Sequence, residues 1–138
     1  MQEINVYVKG VVYGNAGKGL ALSAWGVIGK PIQFIEHEEE SSFGAERKAL
    51  IDAIKHLYNE DTKLHFYSNL KPLMSQGENK RIPDVSTQVQ ENCEFVWFPV
   101  YESPAPLVVL RKRAMQDIEK RAKAREKKRG GSNGYSNR

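Results

Sequence analysis

The sequence predicts an α/β fold in which a five-stranded mixed sheet, three antiparallel strands followed by parallel strands, is flanked by helices. Three short apolar segments joined by tight turns open the chain, and they predict an antiparallel meander. Near residue 41 the spacing of apolar residues changes from about two to about 3.6, which predicts a helix. A short apolar segment follows this helix, and a strand connected in this way is expected to lie parallel to the first strand.

The first three strands are predicted from alternation and from turn residues. Apolar and polar residues alternate from Ile4 to Val8, which is typical of a strand with one buried face. A glycine-rich segment over residues 14–19 supplies the backbone freedom for a tight hairpin, and a Gly-Lys-Pro sequence at 29–31 marks the second turn. The predicted strands cover residues 4–12, 20–28 and 32–36.

The rest of the chain is predicted to alternate helices and strands. Apolar residues from Ala45 to Leu57 recur at helical spacing behind the candidate N-caps Ser41 and Ser42, which predicts a helix of about four turns. A fifth strand over residues 94–100 is apolar on both sides, so we expect both of its faces to be buried. The remaining predictions are a solvated acidic loop over 37–40, a fourth strand over 63–67, short helical pieces within 69–92 and a final helix over 107–128.

The 138 residues suit one packed domain. We predict a domain body over residues 1–110, a basic C-terminal helix over 107–129 that packs on the body or extends from it, and a disordered tail over 130–138. No apolar run approaches the roughly 20 residues that span a bilayer. The N-terminus has no signal-peptide pattern and the single cysteine, Cys93, fits a reducing compartment, so we expect a cytoplasmic protein.

Positive charge is concentrated at one end of the chain. Residues 1–110 contain 10 Lys and Arg against 14 Asp and Glu, whereas residues 111–129 contain 10 against 3. Such an excess attracts anionic partners, most often nucleic acid. The basic segment lacks the Trp, Phe and Leu side chains that insert between lipid headgroups, so we expect nucleic acid rather than a membrane as the partner.

Two segments resemble a known family. Residues 9–19, Lys-Gly-Val-Val-Tyr-Gly-Asn-Ala-Gly-Lys-Gly, are similar to the first hairpin of the ribonuclease H-like family of the ribonuclease HI type, where Asp-Gly-Ser is followed by Gly-Asn-Pro-Gly-x-Gly. Residues 45–49, Ala-Glu-Arg-Lys-Ala, resemble the start of that family's first helix, Arg-Ala-Glu-Leu-x-Ala. The predicted order of strands and helices also agrees with the family. The resemblance implies a ribonuclease H-like fold.

The resemblance also implies where a catalytic site would lie. Enzymes of this family hold two divalent metal ions with a cluster of four carboxylates. The corresponding positions in this chain are Lys9, Glu46, Ser68 and Arg111. One carboxylate beside a lysine is not expected to gather two Mg²⁺ ions, so the resemblance predicts a pseudoenzyme without a metal or cofactor. It also predicts an ion pair between Lys9 and Glu46.

Two sets of residues are candidates for nucleic-acid binding. The glycine-rich hairpin could approach a sugar-phosphate backbone, or it could be a turn without a ligand. The basic helix could bind phosphates, or part of its charge could stabilise the helix through pairs such as Asp117 with Arg121. The candidate residues are Gly14, Asn15, Gly17, Lys18, Arg111, Lys112, Arg113, Lys120 and Arg121.

The function predicted from these observations is nucleic-acid binding without catalysis. The ligand could be RNA, DNA or an RNA-DNA hybrid, because phosphate contacts carry no sequence information. One alternative is an active Mg²⁺-dependent nuclease that uses other acids, such as Glu46 with Glu102 or Asp117. A second alternative is a domain that binds a protein partner through its sheet or its tail.

Overall fold

The structure is a computed structural model that describes residues 1–14 and 19–133, with side chains described up to residue 128. Over these ranges it contains the strands and flanking helices that the sequence predicts. The strands are β1 (Gln2–Tyr13), β2 (Leu20–Gly26), β3 (Gln33–Glu38), β4 (Thr62–Ser68) and β5 (Cys93–Trp97). The helices are α1 (Ser42–Leu57), α2 (Lys71–Glu78), α3 (Thr87–Glu91) and α4 (Ala105–Asn133), with a 3₁₀ turn at Val100–Glu102.

The strands form one mixed sheet in the order β3-β2-β1-β4-β5. β1 pairs antiparallel with β2 and parallel with β4, so that Val8 lies opposite Trp25 and Val6 opposite Phe66. β3 is antiparallel to β2, and β5 is parallel to β4. The parallel pairing of β1 and β4 confirms the predicted crossover, because α1 returns the chain to the end of the sheet where β1 began.

One face of the sheet is covered by α1 and α2. Alternate residues of β1 and β4 point to this face, among them the buried Val6, Leu64 and Phe66, since successive strand residues point to opposite faces. They pack against the apolar side of α1, which includes Leu50. Phe66 stacks on Phe95 of β5 with 5.7 Å between the ring centroids, and this contact extends the core to the edge of the sheet.

α4 covers the opposite face over β1 and β2. Its buried residues recur every three or four positions and are Leu107, Leu110, Ala114, Ile118 and Ala122. They pack against Tyr7, Val11 and Leu22. Tyr67 of β4 and Phe98, just after β5, lie on the less covered part of this face and are half-buried. The buried side of α4 is therefore part of the domain core, and its basic residues lie on its other sides.

The prediction that both faces of the fifth strand are buried is wrong. β5 is an edge strand with β4 as its neighbour. Phe95 is buried, whereas Glu94 is exposed and Trp97 is 38% exposed. The apolar residues that suggested a strand buried on both faces lie partly beyond it, since Phe98 follows the last strand residue and Val100 begins the 3₁₀ turn.

β3 is longer than predicted and includes part of the expected acidic loop. Glu38 pairs with Leu20, so the ladder with β2 continues through His37. The Nε2 atom of His37 lies 2.7 Å from the hydroxyl oxygen of the buried Ser23. His37 and Glu38 are therefore strand residues, because β2 offers them pairing partners that the local sequence does not reveal.

α4 is also longer than predicted. It begins at Ala105 and continues to Asn133, so residues 130–133, which were expected to be disordered, are helical. An existing helix gains one hydrogen bond for each added residue, which favours its extension into a glycine-containing segment. Residues 134–138 of the predicted tail lie outside the described residues. Within the described ranges, no helix combines the length and the apolar character that a membrane crossing requires.

Candidate nucleic-acid interface

Glu46, which the resemblance matches to the acid of the family's first helix, is buried where α1 meets β1 and is 2% exposed. α1 begins behind Ser41, whose side chain accepts a hydrogen bond from the Gly44 N–H at 2.9 Å. The Gly10 N–H of β1 donates to Oε1 of Glu46 at 2.9 Å, and the Ser68 hydroxyl of β4 donates to Oε2. Both oxygens of the carboxyl group therefore have hydrogen-bond partners within the protein.

The close approach of α1 to β1 requires glycine at position 10. A Cβ atom there would collide with the backbone of α1, at the nitrogen of Glu46 and the carbonyl oxygen of Ser42. Without that atom, the backbone N–H of Gly10 can reach the Glu46 carboxyl group. Gly10 therefore sets the distance between the helix and the strand at this site.

The charge environment of Glu46 differs from the predicted ion pair. Burial raises the pKa of Glu46, and the charge of Lys9 with the hydrogen bonds from Ser68 and Gly10 offsets this only in part. Among the described residues, Lys9 is not a salt-bridge partner of Glu46 and acts on it only as a nearby charge. The predicted ion pair is wrong because Gly10, and not Lys9, is the β1 residue that faces α1, and successive residues of a strand point to opposite faces of the sheet.

Ser68, at the family position of another acid, holds Glu46 in place. Its hydroxyl donates to Glu46 and accepts a hydrogen bond from the Leu70 N–H at 2.8 Å. These residues do not fit a pair of Mg²⁺ ions, because one hydrogen-bonded carboxyl group, a hydroxyl group and the charge of Lys9 do not form a set of anionic oxygen ligands. In the part of the chain that the structure describes, no three His, Cys, Asp or Glu side chains could hold a metal ion together.

The acids considered as substitutes have other surroundings. Asp117 accepts a hydrogen bond from Nε of Arg121 at 2.6 Å, and Glu102 is an exposed residue of the 3₁₀ turn. Neither belongs, over the described ranges, to a group of three or more side chains that could hold a metal ion.

Exposed basic side chains line α4, including the position that corresponds to the family's last acid. Those predicted to bind nucleic acid and exposed in the structure are Arg111, Lys112, Arg113 and Lys120. Leu110 of α4 and Tyr7 of β1 line the same cavity. Arg111, the first of these basic residues, follows Leu110 and therefore lies near Tyr7. The salt bridges that α4 forms among the described residues involve Arg121, Lys123 and Arg125 instead.

The second half of α4 lies beside the tip of the β1–β2 hairpin. Ala122 and Arg125 line a surface cavity together with Tyr13 and Gly19, which flank the hairpin turn. Gly14 opens the turn with a φ of +90°, a conformation that favours glycine. The other predicted hairpin contacts, which lie outside the described residues, are Asn15, Gly17 and Lys18. Two regions that are far apart in the sequence thus meet at one end of the sheet.

Two arginines of α4 are held by acids of β3. Arg121 donates through Nη1 to Glu36 at 3.2 Å and through Nε to Asp117 at 2.6 Å. Arg125 donates to Glu36 and lies 3.2 Å from Glu38 in a second salt bridge. The pair of Asp117 with Arg121 was predicted from helical spacing. The contacts with β3 were missed, because they depend on where α4 crosses the sheet.

An aromatic cluster after β5 was also missed from the sequence. Nε1 of Trp97 donates to the Asn69 carbonyl oxygen at 3.1 Å, and Nζ of Lys71 lies 5.0 Å from the Trp97 ring centroid. Tyr101, in the 3₁₀ turn, is 87% exposed. The signal available in the sequence was the density of aromatic residues over 95–101, but Phe95, Trp97 and Phe98 were attributed to a strand buried on both faces.

The strand order, the crossover by α1 and the position of α4 define the ribonuclease H-like fold. A solved structure that shares it is LC11-RNase H1, isolated from compost by a metagenomic approach. That structure superposes with a TM-score of 0.65 over 88% of this chain and 99% of its own, at 16% sequence identity. No protein-family model matches the sequence, and no curated protein matches it. Likeness at this level of identity establishes the fold, so the function must be inferred from the site.

Proposed function

We propose that the protein is a catalytically inactive ribonuclease H-like module that binds nucleic acid through the hairpin at residues 14–19 and the basic helix α4. The observation that carries the proposal is the series of exposed basic side chains on α4, a helix whose second half passes beside the residues that flank the hairpin turn. The similar structure is, by its name, a ribonuclease, and the shared fold therefore supports nucleic acid as the ligand class.

The charge of α4 supports contacts with phosphates. Glu36, Glu38, Asp117 and Glu119 pair with three of its basic residues. Within the described residues, the basic side chains of α4 outside these pairs are Arg111, Lys112, Arg113, Lys120, Lys127 and Lys128. Neutralising phosphates with such side chains releases counterions, which makes binding favourable at low salt and weaker at high salt.

The surroundings of Glu46 support binding without cleavage. Two-metal hydrolysis requires carboxylate oxygens that are free to bind the ions. Both oxygens of Glu46 accept hydrogen bonds, and the charge of Lys9 opposes the approach of a cation. We therefore expect binding that does not require Mg²⁺, and a nucleic acid that stays uncleaved when Mg²⁺ is present.

Binding is tested by the fluorescence anisotropy of labelled oligomers of about 16 nucleotides, both single-stranded and as an RNA-DNA hybrid. If about four phosphates are neutralised, affinity for the hybrid should fall about 100-fold between about 50 and 200 mM salt. Lys112→Glu should weaken binding. Lys55→Glu, the same charge change at an exposed position of α1, is the matched control and should have a smaller effect.

Two results would count against the proposal. One is an affinity that does not depend on salt, since contacts between cations and phosphates are screened by ions. The other is equal affinity of the Lys112→Glu and Lys55→Glu variants, which would show that the charge of α4 has no specific part in binding.

A further inference from the structure

We infer that the segment joining β5 to α4 is a stacking site for unpaired bases, so that the nucleic acid this protein prefers is single-stranded. The inference rests on the proposed function and specifies its ligand. Its basis is two exposed aromatic residues at the start of this segment, Trp97 and Tyr101, with the ammonium group of Lys71 over the Trp97 ring.

Trp97 is held in one orientation. Its Nε1 donates to the Asn69 carbonyl oxygen at 3.1 Å, while the residue remains 38% exposed. Asn69 is itself fixed, because its side-chain amide donates to the Phe98 carbonyl oxygen and to the Ser103 hydroxyl, each at 2.8 Å. A ring fixed in this way loses little conformational entropy when a base stacks on it.

Tyr101 is presented to solvent by a well-bonded turn. The Glu102 N–H donates to the Pro99 carbonyl oxygen at 3.0 Å, and the Ser103 hydroxyl donates to the Val100 carbonyl oxygen at 2.7 Å. With 87% of its surface exposed, Tyr101 contributes almost nothing to the core. An aromatic side chain held outward in this way offers a face on which a base can stack.

The charges around the two rings favour a nucleic acid over an apolar protein segment. Lys71 is exposed and its ammonium group lies 5.0 Å from the Trp97 ring centroid, where it can also meet a phosphate. Arg111 and Lys112 are exposed on the first turns of α4. Glu102 would repel a phosphate next to Tyr101, so we assign bases to the turn and phosphates to Lys71 and α4.

Base stacking allows a protein to discriminate between single strands and duplexes. In a duplex the base faces are covered by neighbouring base pairs, whereas an unpaired strand can place its bases on protein aromatic rings. Phosphate contacts alone accept both forms. The two exposed rings therefore add affinity for single strands without adding affinity for a hybrid.

Intrinsic fluorescence provides a direct test, because the chain contains two tryptophans with different surroundings. Trp25 is buried and donates to Asp52 at 2.8 Å, so a stacking base can reach only Trp97. Single-stranded oligo(dT) of about 16 nucleotides should quench the fluorescence, and the quenching should be absent in Trp97→Phe.

Affinities measured by anisotropy complete the test. Tyr101→Leu should weaken single-strand binding at least about fivefold, the loss expected for one stacked base, and should leave hybrid binding unchanged. Tyr101→Phe retains the ring and should bind like the wild type. Ile28→Ala removes an apolar side chain that is 68% exposed at the β2–β3 turn and should have no effect.

The results distinguish this inference from the proposed function. The stacking site would be overturned if Tyr101→Leu bound the single strand as tightly as the wild type and the single strand did not quench the Trp97 fluorescence. Phosphate binding would then still stand. If the wild type binds neither the single strand nor the hybrid, the proposed function and the stacking site are both overturned.

Discussion

The carboxyl group of Glu46 connects three elements of the fold through the hydrogen bonds that its two oxygens accept. It lies on α1 and accepts hydrogen bonds from Gly10 of β1 and Ser68 of β4. In a buried site each of these polar groups would be costly to leave without a partner. The three residues therefore stabilise the contact of α1 with the sheet.

The first prediction concerns the close approach at Gly10. Gly10→Ala should lower the free energy of unfolding by about 1–3 kcal/mol, because the added Cβ atom meets the backbone of α1. The matched control is Gly26→Ala in β2, where the Cβ atom would meet only the Ile32 side chain, at 3.4 Å. Urea unfolding measures both variants. Equal stability of the two would show that α1 is not held at this distance.

The second prediction follows from the raised pKa of Glu46. A carboxyl group with a higher pKa in the folded state binds its proton more tightly there, so its contribution to stability is greatest at low pH and falls as pH rises through the ordinary glutamate range. The wild type should therefore lose stability relative to Glu46→Gln between about pH 4 and pH 7. Urea unfolding across this range measures the difference, and a constant difference would contradict the direction of the shift.

Single residues show which part of the site was predictable. The resemblance identified Glu46 and Ser68 as neighbours, and the structure brings them into hydrogen-bond contact. The predicted pairing of Lys9 with Glu46 was wrong, because residue types reveal opposite charges but not which backbone N–H lies nearest to a carboxyl group. That distance depends on the packing of α1 against Gly10, which is a tertiary property.

Among the secondary-structure elements, α4 has both a structural and a proposed binding role. Its apolar side packs on β1 and β2, and Arg121 and Arg125 tie it to Glu36 of β3. These two arginines are partly exposed, so solvent and salt weaken their individual contributions to stability. In the proposed complex the acids of β3 would compete with phosphates for the same guanidinium groups.

The third prediction tests this competition. Glu36→Gln should strengthen nucleic-acid binding and steepen its salt dependence, because Arg121 and Arg125 each lose one of two acidic partners and become more available to phosphates. Each additional phosphate contact changes the slope of log affinity against log salt by about −0.9 for a duplex. Glu60→Gln, the same charge change at an exposed position after α1, is the control. Equal slopes for the two variants would show that the arginines of α4 remain bound to β3.

The helices and strands differ in how well local sequence predicted them. The apolar positions of α1 and α4 repeat at helical spacing, and both helices are present. β5 was predicted as a strand, but its position at the sheet edge depends on pairing with β4, so the exposure of Trp97 could not be inferred. The contacts between α4 and β3 depend on the same kind of long-range arrangement.

For the molecule as a whole, the distribution of charge along α4 is the main support for the proposed ligand class. The excess of basic residues over 111–129 lies on a helix that packs across a ribonuclease H-like sheet and passes beside its first hairpin. The acid cluster that two metal ions require is not assembled among the described residues. The central claim is therefore that this molecule holds a nucleic acid and leaves it intact.

One experiment measures both parts of this claim in the same sample. A labelled RNA-DNA hybrid and a labelled single strand are incubated with excess protein in Mg²⁺ or Mn²⁺ and analysed on native and denaturing gels. The account predicts strands that are shifted on the native gel and remain full-length on the denaturing gel, for the wild type and for Glu46→Gln alike. Metal-dependent cleavage by the wild type that Glu46→Gln abolishes would contradict it.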